Sequence, residues 1–159
     1  MGNKERTSHG CFSAKKHGVV THVYVFGGYI RSKGLYLNST EVLSVDEFRW
    51  FDGPNLPSTI FYNKGVASFE DQYVGFSVGG LRRIQFGAPG YPGYYGSEEV
   101  NAIYGLQNSI ENSRWVKVQS MNERRSDLSV VNAPSSWFPS CQTTDKAESV
   151  RASMNSQDE

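Results

Sequence analysis

Three histidines, His9, His17 and His22, lie close together near the start of the chain with Cys11 among them, and such clustering raises the question of a metal site. Zinc is held by about four Cys, His or carboxylate donors at recognisable spacings. Here no carboxylate or second thiol joins the histidines in a ligand pattern. The other cysteine, Cys141, is distant and belongs to no C-x-x-C pair, so both cysteines read as free thiols and no metal or redox chemistry is expected. Nucleophilic catalysis is equally unsupported, with no G-x-S-x-G and no paired carboxylates in a defined context. Gly90-Tyr91-Pro92-Gly93 has proline and tyrosine where a phosphate-cradling loop offers backbone N–H groups. The expectation is a protein that is not an enzyme and uses no cofactor. Asn38-Ser39-Thr40 fits the N-glycosylation acceptor pattern, which matters only in a secretory compartment. Cytoplasmic residence is expected, and secretion if Asn38 carries a glycan.

Recognition is the better use for the remaining polar residues. Arg31 and Lys33, then Arg82 and Arg83 with Tyr91, Tyr94 and Tyr95, then Arg124 and Arg125 combine the two residue types enriched at protein-interface hot spots, because both give large contact area with a polar tip. The whole chain carries 16 Lys+Arg against 16 Asp+Glu over 159 residues. No net field draws it to nucleic acid or to an anionic membrane. Its longest apolar runs, such as Val23 to Phe26, fall far below the roughly 20 residues of a membrane helix. The expected partner is another protein.

The elements that must position these residues repeat. His22-Val23-Tyr24-Val25-Phe26-Gly27-Gly28 returns as Tyr73-Val74-Gly75-Phe76-Ser77-Val78-Gly79-Gly80, a displacement of 52 residues between Gly27 and Gly79. Glu41-Val42 is paired with Glu99-Val100, and Arg49-Trp50 with Arg114-Trp115, in the same order. Trp50 and Trp115 are 65 apart, so the second copy holds extra residues. Its Gly/Pro/Tyr segment Phe86–Gly96 and the polar stretch Gln107–Asn112 read as the loops that hold them. Runs rich in β-branched and aromatic residues, including Gly65–Phe69, Tyr73–Val78, Glu99–Leu106 and Trp115–Gln119, predict four strands per repeat and no main helix.

On these residues the chain resembles Kelch repeats. The double glycines Gly27-Gly28 and Gly79-Gly80 close an apolar strand, and Trp50 and Trp115 are each followed six residues on by Leu56 and Met121. Arg6-Thr7-Ser8-His9 and Arg125-Ser126-Asp127-Leu128 are similar to the start of the innermost strand. The resemblance implies an all-β partial propeller of four-stranded antiparallel Kelch blades over residues 6–133, with repeats near 6–58 and 59–123 and the start of a third near 124–133. Residues 134–159 read as a polar, disordered tail. The tyrosine usual between the double glycine and the tryptophan is not clearly placed. Physically, the glycines let the backbone take positive φ and let another chain approach, while the tryptophans should fill the wedge between adjacent blades. Complete propellers have about 4–8 blades, so two repeats imply a fragment or an open assembly whose blade edges self-associate. Such repeats commonly bind other proteins, as the substrate-recognition part of a ubiquitin-ligase adaptor or on actin. An extracellular or structural propeller, or a galactose-oxidase-like enzyme fragment, are the alternatives.

Overall fold

Short strands of β-branched and aromatic residues, each ended by a turn or glycine, can bury one face only against another sheet. The computed structural model describes residues 5–68, 72–86, 94–107 and 113–130. The first sheet contains β1 (Gly10–Lys16), β2 (Val19–Phe26), β5 (Thr40–Ser44) and β6 (Arg49–Gly53), antiparallel in the order β1-β2-β5-β6. Between β2 and β5 the chain leaves the sheet to make a small hairpin of β3 (Tyr29–Ile30) and β4 (Leu35–Tyr36). The second sheet repeats the plan with β7 (Lys64–Ala67), β8 (Tyr73–Val78), β11 (Ala102–Gln107) and β12 (Trp115–Ser120). Its excursion is the hairpin of β9 (Leu81–Phe86) and β10 (Tyr94–Glu99). These are two propeller blades, and the all-β, partial-propeller expectation holds.

Strand register corrects one pairing of landmarks. Leu43 lies opposite both Val23 and Trp50, and Leu106 lies opposite both Gly75 and Trp115. Glu41-Val42 therefore corresponds to Tyr104-Gly105 and not to Glu99-Val100, which ends β10 and follows it. Gly28 and Leu43 are 15 residues apart where Gly80 and Leu106 are 26 apart, so the extra length sits almost wholly in the second hairpin. The Phe86–Gly96 segment, expected to be loop, begins and ends in paired strand, with Tyr94 opposite Phe86 and Gly96 opposite Ile84. Tyr91 and the stretch 134–159, expected to be a disordered tail, with Cys141 in it, lie outside the described residues.

Both double glycines mark a crossing of chains. Gly27 and Gly28 have φ of 66° and 92°, and Gly79 and Gly80 have 59° and 111°. A Cβ at Gly27 would come within 2.3 Å of the Ile60 carbonyl oxygen, and one at Gly79 within 2.6 Å of that of Arg125. The Gly28 and Gly80 N–H groups donate to those same two carbonyls at 2.7 and 2.8 Å. What passes each corner is the segment leading into the next innermost strand. Its three copies begin at Arg6, Ile60 and Arg125, and their third residues, Ser8, Tyr62 and Asp127, share a positive φ of 54°, 54° and 48°. A ladder joins them, with Tyr62 N–H donating to Ser8 (2.7 Å) and Asp127 N–H donating to Tyr62 (3.1 Å). The middle copy, Ile60-Phe61-Tyr62-Asn63, has neither the Arg nor the His of the first, which is why the sequence reading passed over it.

The core lies between the blades and is built from Phe12, Phe26, Leu56, Leu106 and Trp115. Trp115 fills the wedge: its ring centroid is 4.8 Å from that of Phe26 and 6.4 Å from that of Phe12, and its Nε1–H donates to Thr40 Oγ1 (3.1 Å) and the Pro54 carbonyl (3.0 Å). Trp50, expected to do the same, is 51% exposed. It lies on the side of the first blade that faces away from the second, where the described residues offer no neighbouring sheet.

Candidate protein-binding face

Each hairpin is anchored to the segment that crosses its glycine corner. Thr7 and Tyr29 exchange backbone hydrogen bonds at 2.9 Å each, as do Phe61 and Leu81 at 3.0 and 2.7 Å. Both hairpins therefore leave from equivalent corners of adjacent blades, and they meet. The ring of Tyr36 on β4 lies 4.7 Å from Tyr29 and 4.8 Å from Phe61, which is 5.5 Å from Tyr62. The Arg83 guanidinium on β9 sits over the Tyr36 ring at 5.0 Å, a stacking that holds the cation in place at little hydration cost. The result is a row of aromatic rings crossing from one blade to the other.

The cations selected from the sequence divide into two groups. Arg31 and Lys33 lie in a single 3-10 turn (Arg31–Lys33) at the tip of the first hairpin and are exposed, and their side chains make no hydrogen bond or ion pair among the described residues. The turn ends at Gly34, whose φ of 61° lets β4 return. Arg82, by contrast, is committed to Glu98 across the second hairpin, its Nε–H donating at 2.8 Å. Arg124 reaches the other oxygen of Glu98 at 3.5 Å, and Arg125 pairs with Glu123 at 2.7 Å. The hydrogen bond from Arg82, with the charges of Arg82 and Arg124, holds the Glu98 carboxyl below the usual carboxylate range. These three arginines secure the second hairpin and the segment after β12, so they are less available to a partner than Arg31 and Lys33. The backbones of Tyr94 and Tyr95 lie in β10, opposite Phe86 and Gln85.

Asn38 has a structural task. Its Nδ2–H donates to the Leu56 carbonyl at 3.2 Å while Leu56 N–H donates to its carbonyl at 2.7 Å. Asn101 repeats this with Met121, at 3.3 and 2.7 Å. Asn101-Ala102-Ile103 is no glycosylation acceptor, so the asparagine has a structural role in both blades. A glycan on Asn38 would need space beside Leu56, which is 1% exposed. The sequence reading missed this pair, although an Asn ahead of the third strand in both blades was available as a signal. His9 precedes β1 while His22 lies opposite Ala14 within the sheet, and no group of three or more His, Cys, Asp or Glu among the described residues is arranged to hold a metal.

Residues 19–57 match the family model of the Kelch motif. The matched span runs from the start of β2 through β6 and takes in the first hairpin. No curated protein matches the chain.

Proposed function

We propose that this Kelch-repeat chain is a protein-interaction module that meets its partner on the face made by the β3–β4 and β9–β10 hairpins. The observation that carries the reading is the stack of Arg83 on Tyr36 beside the unpaired Arg31 and Lys33. Rigid rings give contact area at low entropic cost, and exposed cations steer an acidic partner and can pair with its carboxylates. Tyr29 on one side of the stacked Tyr36 ring belongs to the first blade, while Phe61 and Tyr62 on the other lead into the second, so the surface is continuous only because the blades are packed. Kelch repeats typically bind rather than catalyse, and no cofactor enters this reading. Substrate recognition within a ubiquitin-ligase adaptor and binding to actin are the finer roles in view, in the cytoplasm, which the closure task of Asn38 supports over secretion. Contact between copies through the open sides of the blades belongs to the same reading.

The test is affinity capture from cell extract with identification of the bound proteins, followed by titration of each purified binder. Replacing Arg31 and Lys33 with Ala, and separately Tyr36 with Ala, should weaken the specific binder by about 10-fold or more, the effect of losing over about 1.4 kcal/mol. Co-sedimentation with filamentous actin, or recovery of ubiquitin-ligase subunits, separates the two finer roles. Unchanged affinity in both variants would move the binding face elsewhere.

A further inference from the structure

β2 and β5 reach the glycine corner through the Phe26–Thr40 pair, and their pairing ends at His22–Ser44, so the β5–β6 turn lies at the opposite end of the first blade from its hairpin. Strand pairing of β5 with β6 stops at Ser44–Arg49, which leaves Val45-Asp46-Glu47-Phe48 to reverse the chain. Ser44 braces the turn, its Oγ accepting from the Glu47 N–H at 3.4 Å. The last of the four residues, Phe48, takes a left-handed φ of 47°, a conformation that crowds a Cβ and is ordinarily filled by Gly or Asn. A bulky residue there is an outlier. Phe48 is also 86% exposed, so no burial of its ring offsets the strain. Single exposed apolar residues are common on protein surfaces, but exposure joined to backbone strain on one residue is a cost to the fold, and strain of this kind collects at functional positions.

A blade packed against the tryptophan does not cover this position. Register makes Trp50 the counterpart of Trp115, so Phe48 corresponds to Ser113, each two residues before its tryptophan. Ser113 is exposed although Trp115 is buried against the first blade. The turn therefore faces solvent whether or not a sheet lies on its strand. The charges beside Phe48 set the chemistry of what it meets. Asp46 and Glu47 are exposed, and their side chains make no hydrogen bond or ion pair among the described residues. Arg49, on the other flank, is held over the Phe51 ring at 5.2 Å. Lys15 and Lys16 end β1 on the far side of β2, are exposed, and pair with neither carboxylate.

We infer that Phe48 is the anchor of a second protein-binding surface, at the end of the first blade opposite the hairpin, and that it enters an apolar pocket rimmed by lysine or arginine on the partner. The pocket takes up the ring, and the basic rim pairs with Asp46 and Glu47. The test begins with a photoreactive benzophenone side chain placed at position 48 of the full chain, and for comparison at position 113, in cell extract. A protein cross-linked from 48 and not from 113 is identified, purified and titrated against the unmodified chain and its variants. Phe48→Asn should raise the midpoint of chemical denaturation, because it relieves the strain, and weaken that protein's binding by at least about 10-fold. Asp46→Asn with Glu47→Gln should weaken binding in low salt and much less in high salt, where charge contacts are screened. Arg31→Ala with Lys33→Ala should leave it unchanged, which separates this surface from the hairpin face. Absence of a cross-link specific to position 48, full affinity or no added stability in Phe48→Asn, binding indifferent to the acidic pair, or loss of binding in the Arg31 and Lys33 variant would each overturn the inference.

Discussion

The two blades share strand order, register, glycine corners and a tryptophan at the head of the outermost strand, yet Trp115 is 5% exposed and Trp50 is 51% exposed. The same residue in the same blade position becomes core or surface according to whether a sheet lies against it. Blade sequence specifies a face, and the neighbour decides whether that face is buried, as in other repeat folds whose stability resides largely in interfaces. Other counterpart positions diverge too. The first blade has Arg6 and Glu41 in a nearly buried pair, where the second has Ile60, 0% exposed, and Tyr104. A removed carboxylate would strand Arg6, whereas Ile60 carries no such liability.

The largest expected difference is between the tryptophans. Trp115→Ala should destabilise by about 3–5 kcal/mol, the cost of emptying an aromatic core site, and should also free the Thr40 hydroxyl and Pro54 carbonyl. Trp50→Ala should change monomer stability by less than about 1 kcal/mol, in the range of surface substitutions. Chemical denaturation of both, at a concentration where the chain is monomeric, checks the contrast. Equal losses would mean that Trp50 is covered in solution.

A smaller contrast separates two glycines with similar backbones. Gly27 and Gly34 have φ of 66° and 61°, but a Cβ meets the Ile60 carbonyl at 2.3 Å in the first and nothing within 4 Å in the second. Gly34→Ala should cost about 1 kcal/mol for the left-handed conformation alone. Gly27→Ala should cost at least about twice that, because the crossing segment must also move. Similar losses would show that the corner is not tight.

The smallest effect concerns pH. Glu98 has a lowered pKa in the fold, so its contribution is fully present above the ordinary carboxylate pKa of about 4.3 and is lost as pH falls through the lowered value. Amide exchange in β9 and β10 should rise in that acidic range relative to β7 and β8. Glu98→Gln should raise exchange at neutral pH and abolish the difference in pH response.

Much of the fold was legible because double glycines, Arg-Trp pairs and β-branched runs are local features that recur in order. The hairpins were not, since two-residue strands such as Tyr29–Ile30 and a Gly/Pro/Tyr-rich segment carry little periodicity, and Glu99-Val100 imitated Glu41-Val42 at the wrong place. In the candidate site Arg31 and Lys33 could be chosen by type and position alone. That Arg82, Arg124 and Arg125 are engaged by Glu98 and Glu123 could not, because those pairs depend on the register of the second hairpin and the path after β12. The Arg83–Tyr36 stack joins residues from different repeats, and no spacing within one repeat signals it.

The binding face is tested most directly by a hydrogen-exchange footprint of the chain with and without a purified partner bound. Protection should concentrate on residues 29–36 and 81–86, with β1, β2 and β6 unchanged. Protection confined to the Trp50 side of the first blade, with both hairpins exchanging as in the free chain, would contradict the account.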